Sequence, residues 1–129
     1  MFHQFKHYEE LKTEIFKKEI NLEGYLNHSL FKNVGDLLLE NTENYDLDFD
    51  YYIQQMDSSI FVFNYIQFID YFYDILIKYI PKEDLKNIIY KILKENNLEK
   101  LNIPPKEFYL YHLDYFESLL KSILNFLEK

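Results

Sequence analysis

The stretch from Ile60 to Ile80 is the most apolar part of the chain and is long enough to cross a lipid bilayer. Its polar residues argue against a membrane. Asn64, Gln67, Asp70, Asp74 and Lys78 recur at spacings of 3, 3, 4 and 4, which places them on one narrow stripe of a helix. Two carboxylates in mid-span would cost several kcal/mol in lipid. A helix that is apolar around most of its circumference and solvated along one edge belongs at the centre of a helical bundle. The segment therefore predicts a core helix, capped by Asp57, Ser58 or Ser59 and running to about Tyr79.

The flanking segments carry the amphipathic period that such a core helix needs as cover. Tyr8, Leu11, Ile15, Ile20 and Leu22 predict a first helix over about 8–22, with Gly24 as a break or turn. Leu26, Leu30, Phe31, Val34, Leu37 and Leu38 predict a second, ending near Glu40-Asn41, in which Gly35 marks a close approach or a weak point. Pro81 at a first helical position, followed by Glu83 and Asp84, opens another. Its apolar face is Leu85, Ile88, Ile89, Ile92 and Leu93, and Asn96-Asn97 is its stop. After Pro104-Pro105, a last helix repeats Tyr109, Leu113, Phe116, Leu120, Ile123 and Leu127. The expected fold is all-α: a compact single domain over residues 1–129, a bundle of about five helices with an acidic extended loop at about residues 42–56.

That loop departs from the helical period. From Asn44 to Tyr52, Tyr45, Leu47, Phe49 and Tyr51 alternate with aspartates, the period of an extended segment. No partner strand is evident elsewhere, so a loop is expected rather than a sheet. The segment also carries the charge. Between Lys32 and Lys78 stand nine acids and no basic residue: Asp36, Glu40, Glu43, Asp46, Asp48, Asp50, Asp57, Asp70 and Asp74. The rest of the chain holds thirteen acids against fourteen lysines, a net of about +1, so the whole net charge of −8 lies in this third of the sequence. Its summed field attracts cationic surfaces and repels nucleic acid and anionic membranes.

Composition narrows the chemistry further. Cysteine is absent, which removes disulfides and thiolate metal sites and suits a reducing, cytoplasmic setting. The N-terminus, Met1-Phe2-His3-Gln4-Phe5-Lys6, lacks the apolar run of a secretory signal. Arginine is also absent, and with it bidentate phosphate clamps and arginine readout of guanine. Two glycines leave little room for a phosphate-cradling loop, and no nucleophile elbow or Glu-x-x-His unit occurs. His3 and His7, with Glu10 and Glu14 on the same face, could ligate a metal, but a frayed polar terminus explains them as well. Asp70 and Asp74 read more simply as part of the solvated stripe than as an acid/base pair. The expectation is a protein that is not an enzyme and uses no cofactor and no metal.

The acidic-aromatic segment then becomes the candidate binding site: Glu43, Tyr45, Asp46, Asp48, Phe49, Asp50, Tyr51, Tyr52 and Asp57. Carboxylates steer a basic partner, and tyrosines beside charge are the composition of interface anchors. The expected partner is a basic protein, a toxin or defence nuclease whose nucleic-acid cleft the carboxylates mimic. Direct binding to nucleic acid or a membrane is not expected. The acidic run closing on Tyr51-Tyr52 resembles the toxin-facing segment of DNase-type immunity proteins over a handful of residues, and no residue roles are carried over from it. An alternative is a helical self-association or scaffold module, since 25 phenylalanines and tyrosines could leave an exposed aromatic patch.

Overall fold

The computed structural model describes residues 6–18, 22–26, 31–39, 60–94 and 108–128. Among them the regular structure is entirely helical, as the periodicity predicts. The elements are α1 (Tyr8–Lys17), α2 (Leu22–Leu26), α3 (Lys32–Leu39), α4 (Ile60–Tyr71), α5 (Tyr73–Tyr79), α6 (Lys82–Lys94) and α7 (Phe108–Asn125), closed by a 3₁₀ turn at Phe126–Glu128.

Seven α-helices among the described residues replace the expected five because two predicted helices are interrupted. The first stops at Lys17, where Lys18 turns extended at φ −61°, ψ 126° and its N–H bonds back to the Glu14 and Ile15 carbonyls. Leu22 therefore opens a separate short helix, and Gly24 lies within it rather than at a break. The predicted core helix divides at Phe72, whose backbone sits at φ −100°, ψ 19°, in the sparsely populated bridge region. Pro81 stands one residue ahead of α6, with its carbonyl accepting the Leu85 N–H at 3.0 Å. Glu83 and Asp84 fill the first turn of α6, where the helix dipole favours negative charge. The predicted extended loop at 42–56 and the caps at 57–59 lie outside the described residues.

The buried side chains form one contiguous cluster. Its centre is aromatic: Tyr25 of α2, Phe68 of α4, Phe72 at the break and Phe116 of α7 are all buried. The Phe116 ring lies 4.9 Å from Tyr25, 5.3 Å from Phe72 and 5.7 Å from Phe68, in the edge-on and tilted geometries that aromatic quadrupoles favour. The predicted apolar face of α6 is buried in full. That of α7 holds at Phe116, Leu120 and Ile123, whereas Leu113 is 40% exposed. Tyr115, Leu119 and Leu124 are the buried apolar residues that the predicted α7 face omits.

The polar stripe of the central run is not a solvated edge along its whole length. Asp74 and Lys78 are exposed, but Gln67 and Asp70 are buried, at 5% and 1% exposure. Both are used by neighbouring helices. Gln67 Nε2 donates to the Tyr25 carbonyl at 2.7 Å, and Asp70 Oδ1 accepts the Val34 N–H at 2.7 Å. Asn33 Nδ2 donates to the Asp70 carbonyl at 3.2 Å. Polar residues spaced three apart can thus satisfy two other helices while the rest of their own helix packs apolar.

Phe31, just before α3, has a positive φ of 46°, an uncommon conformation for a bulky residue that costs about 1–2 kcal/mol. Two contacts hold it there. Its carbonyl accepts the Gly35 N–H at 2.9 Å, and its ring packs edge-on against Phe63 at 5.2 Å.

Candidate functional site

The predicted binding residues Glu43, Tyr45, Asp46, Asp48, Phe49, Asp50, Tyr51, Tyr52 and Asp57 lie outside the described residues. Their flanks are described. Leu39 ends α3 and Ile60 begins α4, and those two helices pack against each other. Residues 40–59 therefore connect two helices joined through Val34, Asn33 and Asp70. Of the nine acids between Lys32 and Lys78, three are described. Asp36 and Asp74 are exposed, while Asp70 is a buried cap and contributes to no surface patch.

Several charges of the described body are tied to one another along α1. Glu14 accepts from Lys78 Nζ at 2.8 Å and from the Tyr79 hydroxyl. These bonds, with the Lys78 charge, hold the Glu14 carboxyl below its ordinary value of 4.5, while the phenol of Tyr79 is pushed up to about 12 chiefly by the same carboxylate. Glu117 accepts from the Tyr8 hydroxyl at 2.9 Å and from Lys12 Nζ at 3.3 Å, which lowers its pKa and raises that of Lys12. His7 Nδ1 lies 3.1 Å from Glu10 Oε2, and its ring is 5.7 Å from that of Tyr79. Contacts descend α5 to the end of α4 as they ascend α1, from His7–Tyr79 through Glu14–Lys78 to Lys18–Tyr71, so α1 and α5 run antiparallel.

These contacts also bear on the metal readings. His7 and Glu14 each hold a protein partner, and Asp70 is buried while Asp74 is exposed. Among the described residues no group of three His, Asp or Glu side chains is arranged to hold a metal ion, and no helix is long and apolar enough to cross a membrane. His3 lies outside the described residues.

Sequence reasoning missed the internal roles of Gln67, Asp70 and Lys18. Spacing carried no signal for the first two, because a stripe of polar residues reads the same whether it faces water or the backbone of another helix. No known protein family, curated protein or solved structure matches the chain.

The paired carboxylates predict an acid limb to stability. Both groups have folded pKa values below their unfolded values, so their contribution is present above about pH 4.5 and is lost as pH falls through the lowered values. Thermal unfolding followed from neutral pH to pH 3 should show the melting temperature falling below about pH 4.5. The double variant Glu14→Gln/Glu117→Gln should start lower and lose less over the same interval. Parallel profiles for the two proteins would exclude these pairs as the cause.

Proposed function

We propose that the chain is a non-catalytic, cytoplasmic protein that binds and inhibits a basic protein surface, the nucleic-acid cleft of a toxin or defence nuclease. The observation that carries this reading is the run of 45 positions, 33–77, with nine acids and no basic residue in a chain otherwise rich in lysine. Asp36 and Asp74, two acids of that run, are exposed. Lysines of the helical body are engaged internally: Lys12 with Glu117, Lys78 with Glu14, and Lys18 and Lys91 with the carbonyls of Tyr71 and Phe126.

In this reading Glu43, Asp46, Asp48, Asp50 and Asp57 imitate phosphate spacing, and Tyr45, Phe49, Tyr51 and Tyr52 supply the desolvated anchors. Electrostatic steering of this kind carries association toward about 10⁸–10⁹ M⁻¹s⁻¹ at low salt. The partner is protein, with no cofactor, metal, nucleic acid or membrane required. Self-association through an aromatic patch draws no support from the described residues, where Leu113 is the one exposed large apolar side chain.

The test is a DNA- and RNA-cleavage assay against basic toxin and defence nucleases, followed by association kinetics with the one inhibited. The triple variant Asp46→Asn/Asp48→Asn/Asp50→Asn should slow association by about tenfold or more at low salt and flatten its salt dependence. Inhibition and association unchanged by the triple substitution would remove the acidic segment from the mechanism. A chain that inhibits none of the nucleases but proves dimeric by light scattering would favour self-association.

A further inference from the structure

The run from Ile60 to Ile80 contains no proline, glycine or serine, the residues at which helices ordinarily kink. It breaks at Phe72 nonetheless. The other ordinary cause is a foreign side chain inserted into the backbone ladder, and one is present. Lys18 Nζ donates to the Tyr71 carbonyl at 2.9 Å. An uninterrupted helix would give that carbonyl the Ile75 N–H. Here the Ile75 N–H bonds instead to the Phe72 carbonyl at 3.1 Å, one residue nearer.

The lysine is held firmly in that role. Its ammonium sits 4.4 Å from the centroid of the Tyr71 ring and 5.3 Å from that of Phe72, within cation–π range of both. It also lies at the C-terminal end of α4, where the helix dipole favours a cation. The backbone of Lys18 is fixed in turn, because its N–H closes α1 onto the Glu14 and Ile15 carbonyls.

We propose that Lys18 is a helix breaker supplied from another element: its ammonium takes the Tyr71 carbonyl and holds α4 and α5 apart at Phe72, and its withdrawal joins them into one helix. A carbonyl stripped of this donor needs another, and the Ile75 N–H is already adjacent. The Phe72 ring is fully buried against Phe68 and Phe116, so rejoining the helices has to move a core side chain. The break is therefore a conformational device coupling the end of α1 to the aromatic centre. It rests on nothing in residues 40–59 and is independent of the partner-binding reading.

The test uses the full chain with Lys18→Met, which keeps the length of the side chain and removes the ammonium, beside Lys18→Arg. In Lys18→Met the Ile75 amide should gain about fivefold protection from hydrogen exchange, the factor that one net backbone hydrogen bond supplies, and the Tyr71 carbonyl carbon resonance should shift. Lys18→Arg should behave as the native chain. An Ile75 amide and a Tyr71 carbonyl indifferent to Lys18→Met would overturn the proposal. Where Lys18→Met does not fold, the native protein decides. The Lys18 ε-protons should be displaced upfield by the two rings relative to those of exposed Lys17 and Lys82, and coincidence with those lysines would overturn it as well.

Discussion

Replacing Phe116 with alanine is expected to lower the folding free energy by about 3–5 kcal/mol, the range for truncating a buried phenylalanine. That loss is comparable with the whole stability of a typical small domain, about 5–15 kcal/mol. The expectation rests on where the ring sits. Phe116 meets Tyr25, Phe68 and Phe72, so a single side chain joins α7 to α2, to α4 and to the break at Phe72. Alanine would leave a void bounded by three large rings that cannot collapse into it without leaving their rotamers. Phe116→Leu keeps apolar atoms in part of that volume and should cost about half as much. Urea denaturation followed by far-ultraviolet circular dichroism measures both. A loss below about 1 kcal/mol for Phe116→Ala would show that the centre of the core lies elsewhere.

The helical class, the buried face of α6 and most of that of α7 were legible in the sequence, because apolar spacing of three and four reports burial directly. Leu85, Ile88, Ile89, Ile92 and Leu93 are all buried as their periodicity implies. What was not legible depends on contacts between distant positions. Lys18 and Tyr71 stand 53 residues apart, and nothing local distinguishes Lys18 from Lys17 beside it. The break at Phe72 is therefore invisible to local reasoning, since the side chain that meets it lies just past the end of α1. Gln67 and Asp70 fitted a solvated stripe on spacing alone. Spacing records which side of a helix a residue faces and is silent on whether water or another helix terminus faces it back. The ending of α1 at Lys17 was missed for a similar reason, because the apolar pattern continues through Ile20 and Leu22 across a change of backbone direction.

Asp70 offers the sharpest separation of charge, hydrogen bonding and packing. The residue before α3 is Phe31, whose ring has no atom able to accept a backbone N–H, so the start of that helix takes its acceptor from α4 instead. Asp70→Ala is expected to cost about 2–4 kcal/mol, combining a buried Val34 N–H left without its acceptor and the loss of an anion at a helix N-terminus. Asp70→Asn keeps a carbonyl oxygen in reach of Val34 and should cost about 1–2 kcal/mol, the part due to charge and to an added amide that needs its own partner. Asn33→Ala removes only the half-buried bond to the Asp70 carbonyl and should cost about 1 kcal/mol or less. Hydrogen exchange at the Val34 amide locates the effect: protection should fall most for Asp70→Ala, less for Asp70→Asn and hardly at all for Asn33→Ala. Equal losses for the first two would show that the charge, and not the acceptor, sets the start of α3. An unprotected Val34 amide in the native chain would show that the α3–α4 clamp does not persist in solution.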